Sequence, residues 1–284
     1  MAKTAIMKVW DVELGLAIHI VAPNGKYIVI DLGSKNDVSP LKSLWFKTVG
    51  YMVITHPHHD HFSDIQNINY GYPQVLWRVK DFTRDELMDG VRENERSDFE
   101  KYCDFTESFT GSLTPDERPS SGTPFDGLTA EVFYTSLCEK TNKNNFSAIV
   151  VIKLGNAKIV ICGDNESASF DILMKRESFR EAVKNAYVLV APHHGRESGY
   201  YEDFINLVSP YLTIISDTTK GNTSVTEKYA DKSKGYPVYN NLNGKKEHRN
   251  CLTTRNDGNI MVEFGETDDT RYSGTLSASI NCKF

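Results

Sequence analysis

The sequence predicts an α/β (α+β) fold, an αββα sandwich of two mixed β-sheets with outer helices. Two observations predict it. Strand-like segments come in runs with amphipathic helical segments between them, and several of these strands lead into loops rich in histidine or aspartate. The 284 residues, 25% of them charged and 39% hydrophobic, are typical of a globular protein. We predict a single domain over residues 1–284.

Apolar or alternating segments rich in strand formers predict the strands. They cover residues 6–12, 16–21, 27–33, 51–54, 128–134, 147–154, 158–162, 187–191, 212–216, 251–254 and 259–264. The Asn24-Gly25 pair predicts a hairpin turn between the second and third strands. The Asn-Asp-Gly sequence at 256–258 is expected to join the last two strands as a pair. The intervening segment 217–250 is polar, and no strand is predicted there.

The helices are predicted from amphipathic or polar stretches over 40–50, 84–109, 168–185 and 201–208. The stretch from about 77 to 126 is rich in Asp, Glu, Arg and Ser and poor in aliphatic residues. Its later part, 113–127, carries Pro, Ser and Gly and is predicted to be a loop. Since compact domains rarely need so long a connection, the stretch is either a solvated insertion or a lid beside a site.

Cysteine usage and charge exclude several classes of protein. Five cysteines without a Cys-x-x-Cys spacing argue against a disulfide framework and a zinc knuckle. The net charge of -6 gives no global sign of a protein that grips long duplex DNA, although a local basic patch is compatible with it. The N-terminus lacks the apolar core of a signal peptide, and no apolar run is long enough to span a bilayer. We therefore expect a cytoplasmic protein with no membrane partner.

The most informative motif is Thr-His-Pro-His-His-Asp-His at residues 55–61, directly after a predicted buried strand. A strand end fixes the backbone, and a short loop can turn imidazoles and a carboxylate toward one point. These groups are ligands that zinc, manganese and iron prefer. The sequence therefore predicts a metal site, in which His59 points away. The predicted ligands from this loop are His56, His58, Asp60 and His61.

Two later strands end in groups that could reach the same point. The first leads into Gly163-Asp164, whose carboxylate could bridge two metals; an ordinary turn aspartate is the alternative. The second leads into His193-His194. Because neighbouring side chains cannot easily reach one metal, we predict His194 as the ligand. His193 is then left to contact substrate or to hold a ligand by a hydrogen bond.

Two further residues have open roles. Arg196 could neutralise a phosphate, although a plain surface arginine explains it equally well. His248 lies in a polar segment, where a surface histidine is more common than a ligand.

The motifs at 56–61, 163–164 and 193–195, in this order along the chain, resemble those of the metallo-β-lactamase fold superfamily. The resemblance spans nearly the whole chain. The resemblance implies the metallo-β-lactamase fold, and it implies that Asp31 is a buried carboxylate supporting the metal loop. The pattern is most similar to the metallo-β-lactamase domain of ComEC-type competence DNA-uptake proteins, through Asn-Phe-Ser at 145–147 and the two later motifs. That domain is attached to a membrane channel, whereas we expect this chain to be a stand-alone relative.

One departure from the superfamily concerns the first metal position. The superfamily usually supplies another histidine between the first cluster and the Gly-Asp strand, but none lies between His61 and Asp164. That position is left with His56, His58 and Asp164, together with water or an unidentified side chain.

The predicted function is metal-dependent hydrolysis by a metal-activated hydroxide. In this scheme His56 and His58 hold one metal, Asp60, His61 and His194 hold the second, and Asp164 lies between them. The predicted catalytic residues are Asp60 and His194. The expected cofactor is one or two Zn²⁺ ions, and Mn²⁺ suits the carboxylate-containing set equally well.

The resemblance implies a phosphodiesterase or nuclease, with nucleic acid as the partner. Hydrolysis of a small phosphoester, a cyclic nucleotide or another ester is the alternative, and the acidic net charge favours it over a processive DNA nuclease. A metal-binding module without catalysis is the third interpretation.

Overall fold

The computed structural model describes residues 2–35, 37–218, 223–266 and 274–284, and these form two β-sheets with helices. In chain order the strands are β1 (Thr4–Val9), β2 (Ala17–Val21), β3 (Tyr27–Leu32), β4 (Val49–Ile54), β5 (Pro73–Arg78), β6 (Thr129–Phe133), β7 (Ile149–Leu154), β8 (Ala157–Ile161), β9 (Val188–Val190), β10 (Leu212–Ile215), β11 (Tyr236–Asn240), β12 (Lys245–Arg249), β13 (Cys251–Thr253), β14 (Ile260–Gly265) and β15 (Thr275–Ile280). The α-helices are α1 (Arg84–Met88), α2 (Arg96–Glu107), α3 (Ser167–Leu173), α4 (Glu177–Val183), α5 (Glu202–Val208), α6 (Thr226–Lys232) and α7 (Thr254–Asp257).

Both sheets mix parallel and antiparallel neighbours. The larger has the order β12-β11-β15-β14-β1-β2-β3-β4-β5, and the smaller has the order β13-β10-β9-β8-β7-β6. Strands β3, β4 and β5 are parallel, as are β8, β9 and β10. Helix α2 packs on the outer face of the larger sheet, and α3 to α6 pack on that of the smaller. The predicted αββα sandwich is confirmed.

Strand β7 shows how the layers arise from the sequence. Val150 and Ile152 belong to the core between the sheets, whereas Ile149 and Val151 belong to the core under the outer helices. Successive side chains point to opposite faces of a strand, so a strand covered on both faces is apolar throughout. The continuous apolar run in β7 therefore fixes its place in the middle of the sandwich.

The predicted helix over 168–185 is wrong, because the chain forms two helices there, α3 and α4. The guanidinium of Arg180 donates a hydrogen bond to the carbonyl of Met174, 2.7 Å away. This bond satisfies a carbonyl at the end of α3, which would otherwise lack a partner. The predicted helix over 40–50 is similarly shortened to a 3-10 helix, Pro40–Leu44.

The predicted pairing of the last two strands is also wrong. Strand β13 lies beside β10 in the smaller sheet, whereas β14 lies beside β1 in the larger one. Helix α7 occupies the expected turn and carries the chain between the sheets. Strands β5, β11, β12 and β15 were not predicted.

The stretch 77–126 contains a packed part and an exposed part. Helix α2 buries Phe99 and Tyr102 against the larger sheet. The proline-rich part lies elsewhere: Phe125 packs against Gly50, and the carbonyl of Pro124 accepts a hydrogen bond from Asn24 (2.8 Å). Gly50 is near the start of β4, so this part lies at the strand end opposite to the predicted metal loop. Within the described residues, no helix is long and apolar enough to cross a membrane.

Candidate metal centre

Six of the predicted ligands come together in two groups. Within each group, one ligand atom from each residue lies within 4.8 Å of the others. The first group is His56, His58 and Asp164, and the second group is Asp60, His61 and His194. Each group combines side chains from the loop after β4 with a side chain from a strand end of the smaller sheet. The two sheets thus meet at this site.

Asp31, in β3, holds the loop in place. Its carboxylate accepts hydrogen bonds from the backbone N–H and the hydroxyl of Thr55, both at 2.7 Å. Its Oδ2 also lies 2.6 Å from Nδ1 of His61, so Nδ1–H donates to it and Nε2 is left facing the site. Asp31 is fully buried and has a φ of 58°, a strained conformation for a residue other than glycine.

Asp164 lies between the two groups. Its Oδ2 is 3.7 Å from Nε2 of His56 and 3.5 Å from Nε2 of His194, and its Oδ1 is 3.2 Å from Nε2 of His61. The preceding Gly163 has a φ of 53°, and a side chain there would come within 2.9 Å of Thr55. Glycine is therefore required where the two strand ends meet.

A left-handed turn separates the two neighbouring histidines. His193, His194 and Gly195 have φ values of 48°, 53° and 68°, a run that is rare outside glycine. Nδ1 of His194 lies 3.1 Å from the carbonyl of Ser216, so Nδ1–H donates to it and Nε2 faces the site. That Nε2 is 3.6 Å from Oδ2 of Asp60.

His193 belongs to neither donor group. Its Nδ1 lies 2.9 Å from Oε1 of Glu166 and 2.7 Å from the hydroxyl of Ser198. Its Nε2 faces two donors, Nη1 of Arg196 at 3.3 Å and Nδ2 of Asn144 at 3.5 Å. Nε2 is therefore the acceptor and Nδ1 carries the proton. Burial lowers the pKa of His193, which keeps the ring neutral at pH 7.

The protein itself sets the protonation of the second group. Burial disfavours the charged form of His194, but Asp164 and Asp60 outweigh it and raise its pKa to about 9. In the same way, Asp164 and Asp31 raise the pKa of His61 well above its usual value against the effect of burial. Burial alone would raise the pKa of Asp164, yet His194 and His61 hold it well below its ordinary range.

The remaining histidines lie outside both donor groups. Nε2 of His59 is 2.8 Å from Oδ2 of Asp98 on α2. His19 is buried in β2, where burial and the charge of Lys8 lower its pKa to about 3. His248 lies on exposed β12, against Gly235. The structure therefore does not bring His248 to the site.

Sequence reasoning missed two residues beside the site. Glu166 lies two positions after Asp164 and holds His193, and Asn144 precedes the strand that runs beside β8. Neither residue type at these positions is a ligand signal by itself. Their place at the site becomes visible only when the two sheets are packed together.

A family model of the metallo-β-lactamase superfamily matches residues 13–215. The chain belongs to the metallo-β-lactamase superfamily. It is accordingly a hydrolase of this superfamily with a His/Asp cluster that could bind metal. No curated protein matches the chain.

Two solved structures are similar to this chain. Igni18, a metallo hydrolase from the hyperthermophilic archaeon Ignicoccus hospitalis, is 15% identical with a TM-score of 0.51, and the match covers 92% of this chain and 100% of that one. The metallo-β-lactamase fold protein YhfI from Bacillus subtilis is 11% identical with a TM-score of 0.49, covering 92% and 99% of the two chains.

The residues of this superfamily member fit divalent cations. The two groups offer imidazole nitrogen and carboxylate oxygen, which suit zinc and manganese. Asp164 is also buried, and its two carboxylate oxygens lie 3.2 to 3.7 Å from Nε2 of His56, His61 and His194, so carboxylate and imidazole donors converge on one point. The structure thus supports a metal centre on its own donor chemistry.

Metal binding at pH 7 is expected to release protons. His194, with a pKa of about 9, and His61, with a raised pKa, are both charged in the metal-free protein, whereas a ligating imidazole must be neutral. The apparent affinity should therefore rise with pH from neutral pH up to at least the pKa of His194, about 9. Calorimetric titration in buffers of different ionisation enthalpy measures the released protons. No release at pH 7 would contradict the assignment of these two histidines as ligands.

Proposed function

We propose that this superfamily member is a metal-dependent phosphodiesterase that acts on nucleic acid. The observation that carries the proposal is the position of Asp164, whose two oxygens face both donor groups. Two cations held side by side would polarise a phosphoryl oxygen, activate a water and stabilise the attacking and leaving oxygens of an in-line displacement. The residues that would hold them are His56, His58 and Asp164 for one, and Asp60, His61, His194 and Asp164 for the other.

Asp60 and His58 are the two donors that are partly exposed to solvent. The side chain of Asp60 is 37% exposed, whereas that of Asp164 is 5% exposed. A cavity of about 430 Å³ adjoins it, lined by Val12, Glu13, Leu14, Ser34, Lys35, His59, Asp60 and Ser63. Although burial opposes ionisation, His194 and His61 lower the pKa of Asp60, so the carboxylate is charged at neutral pH. The charged carboxylate of Asp60 is thus placed to accept a hydrogen bond from the attacking water and orient it, with His194 beside it.

Positive charge beside the site favours an anionic substrate. The guanidinium of Arg196 contacts His193 and forms no ion pair with a carboxylate in the described part of the chain, and its Nε is buried without a partner. Lys143 is close enough to His58 to contribute to the lowering of its pKa, after burial and His61. A guanidinium without a counter-charge is suited to bind phosphate oxygens.

The resemblance to ComEC-type DNA-uptake domains supports nucleic acid as the substrate. The net charge of -6 favours a second candidate, hydrolysis of small phosphoesters, because a protein that tracks along DNA is usually basic at its contact face. The two candidates share the same metal centre and the same bond type, so they separate only by the size of the substrate.

The test is cleavage of single-stranded DNA, double-stranded DNA and bis-p-nitrophenyl phosphate with Zn²⁺ or Mn²⁺. We expect DNA cleavage that disappears in the His58→Ala/Asp60→Ala double variant and persists in a His248→Ala control, since His248 lies outside the site. Cleavage of only the small ester would move the function to small phosphodiesters. No turnover of any substrate with metal supplied would overturn the phosphodiesterase proposal and favour other esters or a metal-binding role.

A further inference from the structure

Asn144 is a buried polar residue whose side chain is only partly satisfied. It lies in a 3-10 turn, Lys143–Phe146, that leads into β7, and it is 8% exposed. The side chain of Asn142 begins this turn by accepting a hydrogen bond from the backbone N–H of Asn144, at 3.1 Å. The turn therefore holds the Asn144 backbone in place from within the loop.

The contacts of Asn144 determine the orientation of its amide. Nδ2 donates to Oε1 of Glu166 at 3.1 Å and faces Nε2 of His193, an acceptor, at 3.5 Å. The reverse orientation would set the amide oxygen against a carboxylate, so Nδ2 must occupy this side. Oδ1 then remains buried, and it has no hydrogen-bond donor. A buried acceptor without a donor is unfavourable unless a cation or a donor completes it.

The turn borders the first donor group on several sides. The hydroxyl of Ser147 accepts a hydrogen bond from the backbone N–H of Asp164 at 3.0 Å. The next residue, Ala148, donates to the carbonyl of Thr55 at 2.9 Å, directly before His56. Lys143 lies within electrostatic range of His58. The turn thus lies beside the backbone of Asp164 and beside the residue that precedes His56.

We propose that Oδ1 of Asn144 is the fourth protein donor to a divalent cation held by His56, His58 and Asp164. The inference rests on the metal-binding part of the proposed function and not on the substrate. With Asp164 counted in both groups, each cation then has two imidazole nitrogens and two oxygens from the protein. Such a set accepts Mn²⁺ as well as Zn²⁺, because amide and carboxylate oxygens are hard ligands.

The experiment titrates the metal-free protein with Zn²⁺ and with Mn²⁺, by calorimetry and by elemental analysis of the bound metal. We expect two ions per chain in the wild type. Asn144→Ala should lower the affinity for one of the two ions by about 10-fold or more. Loss of a residue that only hydrogen-bonds a metal ligand already costs about 10–100-fold in affinity. The other ion should bind as before.

Asn144→Asp separates a donor role from a structural one. It keeps an oxygen for the cation but loses the N–H that contacts Glu166 and His193. The proposal predicts two ions in this variant, whereas a purely structural role predicts that it fails like Asn144→Ala. Asn144→His places an imidazole at this position. It should increase the preference of the first donor group for Zn²⁺ over Mn²⁺.

The adjacent Asn145 provides the matched control. It is also buried, but its Oδ1 already accepts a hydrogen bond from the backbone N–H of Ser169 at 3.2 Å. Asn145→Ala should therefore keep both affinities, with thermal unfolding as the check on folding. Two ions bound to Asn144→Ala with wild-type affinities would overturn the inference and leave the proposed function standing. No metal binding by the wild type would overturn both.

Discussion

Asp164→Asn is expected to abolish hydrolysis and to weaken the binding of both cations. The carboxylate faces His56, His61 and His194 together, so one substitution removes a shared negative ligand from both donor groups. Loss of a residue that only supports a ligand costs about 10–100-fold in metal affinity or activity, and a shared ligand should cost more than about 100-fold. The measurements are bound metal per chain and kcat/KM for the substrate that the wild type cleaves.

Asp171→Asn is the control for this experiment. Asp171 lies on α3, close in sequence to Asp164, but its contact is an exposed hydrogen bond from the hydroxyl of Tyr201. It should keep wild-type metal content and kcat/KM. If Asp164→Asn retained two ions and most of its activity, Asp164 would not be a shared ligand, and the two groups would act independently.

Central strands could be predicted from the sequence because both of their faces are covered. Strands β4 and β7 are buried nearly throughout, so their segments are continuously apolar and can be recognised without the fold. Strand β12, Lys-Lys-Glu-His-Arg, lies at the edge of the larger sheet and is almost entirely exposed. An edge strand with charged side chains has no apolar face to signal it, which is why β12 was not predicted.

The sheet to which a strand belongs is harder to predict than the strand itself. Strands β13 and β14 are close in sequence and both apolar, yet they pair with β10 and β1, which are distant along the chain. A turn signal such as Asn-Asp-Gly reports only local conformation. The partner of each strand is set by packing between sheets, and no short segment contains that information.

The same distinction applies to the candidate site. The loop at 55–61 concentrates ligand side chains in one stretch, so its chemistry was visible in the sequence. Asn144 has no such signal, because its relevance depends on an unpartnered oxygen and on contacts with Glu166 and His193, far along the chain. Common residue types acquire roles through long-range contacts, and these are the roles that sequence reasoning misses.

Asp31→Ala is expected to weaken cation binding and to destabilise the metal-free protein, although Asp31 is not itself one of the candidate metal ligands. Thr55 would lose the acceptor of two hydrogen bonds, and Nδ1 of His61 would lose the carboxylate that orients the ring. Unsatisfied buried groups cost about 1–3 kcal/mol of unfolding free energy, and loss of such support costs about 10–100-fold in metal affinity. Denaturant unfolding of the metal-free protein and metal titration measure the two effects.

Asp31→Asn separates hydrogen bonding from charge in this position. Its amide oxygen can still accept from Thr55, and asparagine tolerates the φ of 58° better than most residues. It should therefore recover more of the stability than of the metal affinity, because a neutral amide supports His61 less well than a carboxylate does. If Asp31→Ala bound metal as tightly as the wild type, the loop itself would orient His61, and the carboxylate would serve only the fold.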